Sequence, residues 1–243
     1  MSEVPVIILA AGVGSRLRPL TDRMPKCLVP VADRPVLGWQ LDAFLSAGAA
    51  RITVVAGYRS ADVIEFCRSY GSKVRVLVNS AYETTNNMVS LRLGLSDQQG
   101  LPIMVSNGDV VFDPFIALSM MTSDDADLIA VQGGRYIEES MKVAVDAEGR
   151  VRELSKKIPP DRAYGVSIDL YRFSAMGIRA VCDAADAFID RQGQTNLWTE
   201  AAIDAALPKF DMRMFEIGNR PWIEIDNADD LAEGERLFAG ARA

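Results

Sequence analysis

A short stretch near the start of the chain concentrates groups suited to holding phosphate: Ala10, Ala11, Gly12, Gly14, Ser15 and Arg16, followed by Pro25 and Lys26. Glycine lets the backbone approach an anion closely and turn its amides toward the oxygens. Arginine adds a planar fork that matches phosphate, and lysine a compact charge. The stretch contains no GxxxxGK[ST] run, and Leu17 stands where a dinucleotide fingerprint needs a third small residue. A bare tight turn is the plain alternative for the two glycines. Arg16, Pro19, Thr21 and Lys26 in the same run favour phosphate.

Carboxylates supply the second kind of chemistry. Asn107-Gly108-Asp109 follows the apolar run 102–105, at the carboxyl end of an expected strand, where open α/β sheets bind ligands. An aspartate there suits magnesium, a hard cation that bridges carboxylates to phosphates. One side chain rarely fixes such an ion. Trp222-Ile223-Glu224-Ile225-Asp226 alternates as a strand does, so Glu224 and Asp226 share a face and are candidates for further metal ligands. The alternatives are a simple turn at Asn107-Gly108-Asp109 and a helix-capping role for Asp226.

With these motifs in order, the chain resembles the NTP-dependent nucleotidyltransferases that make nucleotide-activated sugars and alcohols. Their glycine-rich AGxGxR-type loop and PK pair stand here at 11–26. The resemblance implies a nucleotide-diphospho-sugar transferase type of fold and a magnesium-dependent transfer of a nucleoside monophosphate with release of pyrophosphate. It implies Arg16, Lys26 and Asp109 as catalytic residues, with Asp109, Asp226 and Glu224 on the metal. Nucleotide contacts are expected from Leu9, Ala10, Ala11, Gly12, Gly14, Ser15, Arg16, Gly57, Tyr58, Asn86, Asn87, Asn107 and Gly108. The chain has no histidine, so no histidine-based triad is available. An acceptor phosphate oxygen is already a nucleophile, and in-line positioning with charge neutralisation then suffices.

Three segments resemble the cytidylyltransferases that act on phosphocholine, aminoethylphosphonate and related small acceptors. They are Tyr82-Glu83-Thr84-Thr85-Asn86-Asn87-Met88-Val89-Ser90-Leu91, the Met141-Lys142-Val143 and Ser155-Lys156 pair, and Trp198-Thr199-Glu200. The resemblance implies CTP as donor and Lys142, Lys156, Trp198 and Glu200 at the acceptor. Asn86 and Asn87 either order the pocket or cap the helix that follows; Lys142 and Lys156 either hold phosphate or lie solvated on a strand face. An acceptor with an amino, ammonium or amide end is expected if Trp198 and Trp222 face the pocket, and both tryptophans also suit a core. The stretch 165–171 departs from the glycine-containing strand of the phosphonate enzymes, which admits a phosphorylated amide or polyol used in capsule or surface-polymer assembly. The alternatives are a sugar-1-phosphate nucleotidylyltransferase using UTP, GTP or dTTP and a noncatalytic nucleotide-sensing homologue.

The elements that must position these groups follow from periodicity. Buried strands are expected at 6–9, 52–56, 74–78 and 102–105, alternating with helices at 37–47, 62–70 and 87–95, the pattern of crossover units around a mostly parallel sheet. Between 126 and 173 the period falls toward two, which predicts antiparallel strands on one edge of the sheet. Helices at 178–189 and 200–207, a strand at 212–217, the strand 222–226 and a helix at 228–239 complete the chain. The expectation is one α/β domain over 1–243, Rossmann-like, its mixed, mostly parallel sheet sandwiched by helices, with a nucleotide-binding half at about 1–112 and an acceptor-binding half at about 113–243.

Composition bounds the partners. Hydrophobic residues make up 49% of the 243, enough for a sizeable core. A formal net charge of −7 argues against broad contact with nucleic acid or an anionic membrane. The three cysteines, Cys27, Cys67 and Cys182, form no CxxC pair and read as reduced thiols in a cytoplasm. The apolar start follows Glu3 without a basic segment, and no run reaches the ~20 residues that span a bilayer. The partners expected are a nucleoside triphosphate, a small phosphorylated acceptor and magnesium, with a homodimer left open.

Overall fold

The computed structural model describes residues 4–96 and 102–240; the reading of Glu3 and the ends of the 1–243 domain lie outside them. The strands are β1 (Val6–Ala10), β2 (Pro30–Val31), β3 (Arg34–Pro35), β4 (Ile52–Ala56), β5 (Val74–Val78), β6 (Ile103–Asn107), β7 (Val110–Phe112), β8 (Leu128–Gly133), β9 (Lys142–Val145), β10 (Val151–Ser155), β11 (Gly165–Phe173), β12 (Arg213–Glu216) and β13 (Trp222–Glu224). The helices are α1 (Val36–Ser46), α2 (Ser60–Cys67), α3 (Asn87–Leu95), α4 (Pro114–Thr122), α5 (Ala175–Asp186), α6 (Thr199–Ala206) and α7 (Ala228–Phe238).

The main sheet runs β10-β9-β11-β6-β1-β4-β5, with β8 on β11 and β12 on β8. Its β6-β1-β4-β5 part is parallel, and β1 is in register with β4 from Val6 opposite Ile52 to Ala10 opposite Ala56. Having built β1, β4 and β5 outward, the chain returns to place β6 on the other side of β1. That reversal opens a crevice at the carboxyl ends of β1 and β6. The expected antiparallel strands are present as β8 to β11, while β12 joins β8 in parallel.

Side chains from both sheet faces explain why the strands read as continuous apolar runs. Val6, Ile8 and Ala10 pack on one side with Leu37, Leu41 and Phe44 of α1; Ile7 and Leu9 pack on the other with Met88 and Leu91 of α3. A smaller cluster joins Val31, Trp39, Ile225 and Phe238, which docks α7 beside the first loop.

Some elements depart from expectation. Helix α4 carries no signal of helical period because Phe115, Ile116, Leu118, Met120 and Met121 cover all its sides; its start is nonetheless marked by Asp113, whose side chain accepts the Phe115 amide, and by Pro114 in the first turn. The helix expected at 62–70 begins earlier, at Ser60, and gives way to a 3₁₀ segment after Cys67. Strand β13 pairs antiparallel with β7, and Ile225 N–H donates to Asp109 O at 2.9 Å. That pairing carries Glu224 and Asp226 to the end of β6.

Candidate active site

The loop after β1 is held from behind. Gly14 has φ of 68°, the left-handed region, and a Cβ there would lie 2.8 Å from Lys26 Cβ. Thr21 Oγ1 donates to Gly14 O (2.9 Å), the Tyr58 amide donates to Ala11 O (3.1 Å), and the Tyr58 hydroxyl donates to Thr21 O (2.9 Å). A Cβ on Gly57 would stand 2.7 Å from Ala11 O. Gly57 and Tyr58 therefore buttress the loop instead of lining the cavity in front of it. Gly108 acts likewise, its amide donating to Leu9 O at 2.8 Å with no room for a side chain.

That cavity, about 340 Å³, is lined by Leu9, Ala11, Gly12, Gly14, Ser15, Arg16 and Lys26 from the first part of the chain and by Lys156, Asp169, Trp198 and Glu200 from the second; Asn86, Asn87, Asn107, Asp109, Glu224 and Asp226 also face it. Ala10 lies behind the loop and is not among the lining residues.

At its centre Lys26 Nζ donates to Asp109 Oδ2 and Asp226 Oδ1, each at 2.6 Å, and Arg16 reaches Asp226 Oδ2 at 2.7 Å. Burial pulls the Lys26 ammonium down, but the charges of Asp109 and Asp226 outweigh it and hold its pKa above the ordinary lysine value. Asp226 resists the same burial penalty because Lys26 and Arg16 favour its anion, and its pKa is depressed. Glu224 is pushed well up, first by burial and then by Asp109, Asp169 and Asp226.

This surplus of carboxylate fits a divalent cation. Asp109, Glu224 and Asp226 each offer an oxygen within 4.8 Å of the others, and the buried Asp109 Oδ1 has no hydrogen-bond partner. Hard oxygen donors beside a phosphate loop are the ligand set magnesium takes. The turn that carries Asp109 is fixed by Gln40, whose Nε2 donates to Asn107 O (2.8 Å) and Val110 O (2.7 Å).

The expectation for Lys142 is corrected, and the open alternative at Trp222 closes on the core. Lys142 is neither a cavity residue nor solvated: it is wholly buried, its ammonium donates to Glu138 O (2.6 Å) and Ile137 O (3.2 Å), and it sits 4.8 Å from the Tyr136 ring centre. Trp222 is a core residue whose indole N–H donates to Gln132 Oε1 at 2.8 Å. Trp198 does face the cavity, half exposed, with Lys156 Nζ 4.8 Å from its ring centre. Asp226 leaves the capping of α7 to Asn227 and Asp230.

Asp169 was not singled out from sequence. It kinks β11 with φ of 56° at a register shift between Ser167 and Tyr171, which turns its carboxylate into the cavity. A charged residue inside the apolar run 165–173 was the available signal. Burial, then the charges of Glu200 and Asp109, raises the Asp169 pKa; burial raises that of Glu200 as well.

Known proteins are similar to this chain in sequence and in fold. Across 93% of the chain and 96% of the relative, it is 28% identical to the CTP:phosphoglutamine cytidylyltransferase of Campylobacter jejuni. It is also 28% identical to the CMP-5'-(3-aminopropyl)phosphonate synthase of Streptomyces rubellomurinus over 98% of its own length, and spans only 40% of that protein. The structure of the CTP:phosphocholine cytidylyltransferase of Streptococcus pneumoniae superposes with a TM-score of 0.83 over 97% of this chain and 99% of that one, at 21% identity. An inositol-1-phosphate CTP transferase from T. maritima gives 0.82 over 100% and 99%, at 22% identity. At these identities the two structures show the fold. Residues 6–188, which carry the glycine loop, Asp109 and Asp169, match the MobA-like NTP transferase domain, and the chain belongs to that family.

Proposed function

We propose that this protein transfers CMP from CTP to a small phosphate- or phosphonate-bearing acceptor and releases pyrophosphate, supplying an activated precursor for surface-polymer or lipid assembly in the cytoplasm. The observation that carries the reading is Lys26 clasped between Asp109 and Asp226 beside Arg16, at the centre of a cavity with a glycine loop on one side. The names of the relatives, which specify CTP or CMP with phosphorylated or phosphonate acceptors, support the choice of nucleotide and acceptor. The half at about 1–112 takes the nucleotide and the half at about 113–243 the acceptor.

The chemistry follows from what the residues can do. Amides of the 11–16 loop and the Arg16 guanidinium hold the triphosphate, with the α-phosphorus toward the acceptor wall. An acceptor phosphate or phosphonate oxygen, steered by Lys156, attacks in line; the new O–P bond forms as the bond to the β-phosphate breaks, and pyrophosphate leaves with the electron pair. The attacking oxygen is already anionic, so no general base is required. Lys26 neutralises charge that grows on the equatorial oxygens, a contribution that typically changes turnover by about 10²–10³. Magnesium, held by Asp109, Asp226 and Glu224, supplies further charge neutralisation at phosphate oxygens when bound.

Phosphate release coupled to pyrophosphatase tests the reading, with CTP, UTP, GTP and ATP each offered aminoethylphosphonate, phosphocholine and glucose 1-phosphate. Turnover is expected with CTP and an amino- or ammonium-bearing acceptor. A marked preference for glucose 1-phosphate with another nucleotide would establish a sugar-1-phosphate nucleotidylyltransferase instead. No turnover with any pair would favour a nucleotide sensor.

A further inference from the structure

The side chains between the two halves form a closed chain of hydrogen bonds. Thr199 N–H donates to Asn87 Oδ1 (2.8 Å), Asn87 Nδ2 donates to Asn107 Oδ1 (3.3 Å), and Asn107 Nδ2 donates to Asp169 Oδ2 (3.1 Å). The Tyr171 hydroxyl lies between Asp169 Oδ1 (3.1 Å) and Glu200 Oε1 (3.0 Å), and Glu200 adjoins Thr199. The circuit thus joins the starts of α3 and α6, the end of β6 and the kink of β11.

Its direction is fixed from the Thr199 end. A backbone N–H can only donate, so Asn87 must turn its oxygen to Thr199 and its NH₂ to Asn107. Asn107 must then receive with its oxygen, which leaves its NH₂ to donate to Asp169 Oδ2. Neither amide can rotate without setting two like groups against each other. Neighbouring bonds reinforce the seam: Asn86 N–H donates to Thr195 O at 2.9 Å, and Asn86 Nδ2 to Asn196 O at 3.4 Å. None of these bonds touches the 11–16 loop.

We infer that Asn87 is a positioning residue for the acceptor wall and not a reader of the nucleotide. Through Thr199 it fixes the segment that presents Trp198 and Glu200, and through Asn107 it aims Asp169. The seam ties the start of α6 to the nucleotide half, so the acceptor meets a wall set at a constant distance from the α-phosphorus. The kinetic part of this inference rests on the reaction proposed above; the structural part does not.

The test uses the full chain with Asn87→Ala and Asn87→Asp. For Asn87→Ala, loss of its paired hydrogen bonds is expected to raise the acceptor KM about tenfold while the CTP KM stays within about twofold. Amide exchange of Thr199 should quicken by about tenfold as amides 203–206 keep their protection. Asn87→Asp keeps the Thr199 bond but cannot donate to Asn107, so it should share the KM shift and leave Thr199 protected. It also preserves the test should the alanine variant fail to fold. A raised CTP KM with an unchanged acceptor KM would overturn the inference, as would unchanged Thr199 exchange in Asn87→Ala. If the wild type turns over no acceptor, the reaction proposed above fails, and the exchange measurement alone decides whether Asn87 anchors α6.

Discussion

The ammonium of Lys26 bonds to the carboxylate of Asp226, 200 residues later in the chain. The contact joins the segment after the glycine loop to the residue two positions beyond β13, and it makes one lysine the partner of two carboxylates.

Lys26→Ala and Asp109→Ala are expected to fold and to lose about 10²–10³ of turnover, because each removes a group aimed at the reacting phosphate from a loop outside the core. Circular dichroism and the coupled phosphate assay check this together. Near-wild-type activity in either variant would remove that residue from the catalytic set.

Glu224→Gln keeps the shape of the side chain and removes one ligand charge. The magnesium concentration for half-maximal activity is expected to rise about tenfold, with the CTP KM at saturating magnesium little changed. Titration of activity with magnesium after chelation measures it. An unchanged midpoint would leave Asp109 and Asp226 as the protein ligands and Glu224 outside the site.

Gly57→Ala places a methyl group 2.6 Å from Tyr82 Cβ and 2.7 Å from Ala11 O, against the back of the phosphate loop. Overpacking of this kind costs about 1–3 kcal/mol of stability. Since the loop must move to relieve it, the CTP KM should rise more than the acceptor KM. Equal effects on both would mean that the loop and the acceptor wall shift as one body.

Asp127 is buried and accepts the Ser174 amide at 2.8 Å, and burial raises its pKa above the ordinary aspartate value. A carboxyl whose folded pKa lies above its unfolded one binds more protons in the folded state between the two values, so its contribution to stability falls as pH rises through that window. Asp127→Asn removes the titration and keeps an oxygen for Ser174. Its melting temperature relative to wild type is therefore expected to improve from pH 4 to pH 7. A gap that is constant with pH would place the Asp127 pKa at its unfolded value.

The parallel half of the fold was legible because strands buried on both faces, such as 6–9 and 52–56, are plain apolar runs, and because Gly12, Gly14 and Lys26 do local chemistry in a local stretch. The convergence of Asp109 with Asp226 was implied by the resemblance and by the shared face at 224 and 226; the register of β13 on β7 shows how it is reached. Lys142 misled because a lysine in an alternating strand normally keeps its charge in water, whereas here two backbone carbonyls of the preceding turn take the ammonium. Trp222 stayed open between pocket and core because its spacing to Glu224 says nothing of which way the ring turns. Asp169 stayed hidden because its orientation depends on a left-handed kink that no glycine or asparagine announced.

The pairing of β13 with β7 also makes the site depend on residues outside the matched domain. The match to the family domain ends at residue 188, but Asp226 lies beyond it and reaches Lys26 from just after β13. Residues 6–188 by themselves contain the glycine loop and Asp109, and they lack the carboxylate that clamps both Arg16 and Lys26. The matched segment is thereby one carboxylate short of the clamp, and the pairing of a three-residue strand with β7 brings it in.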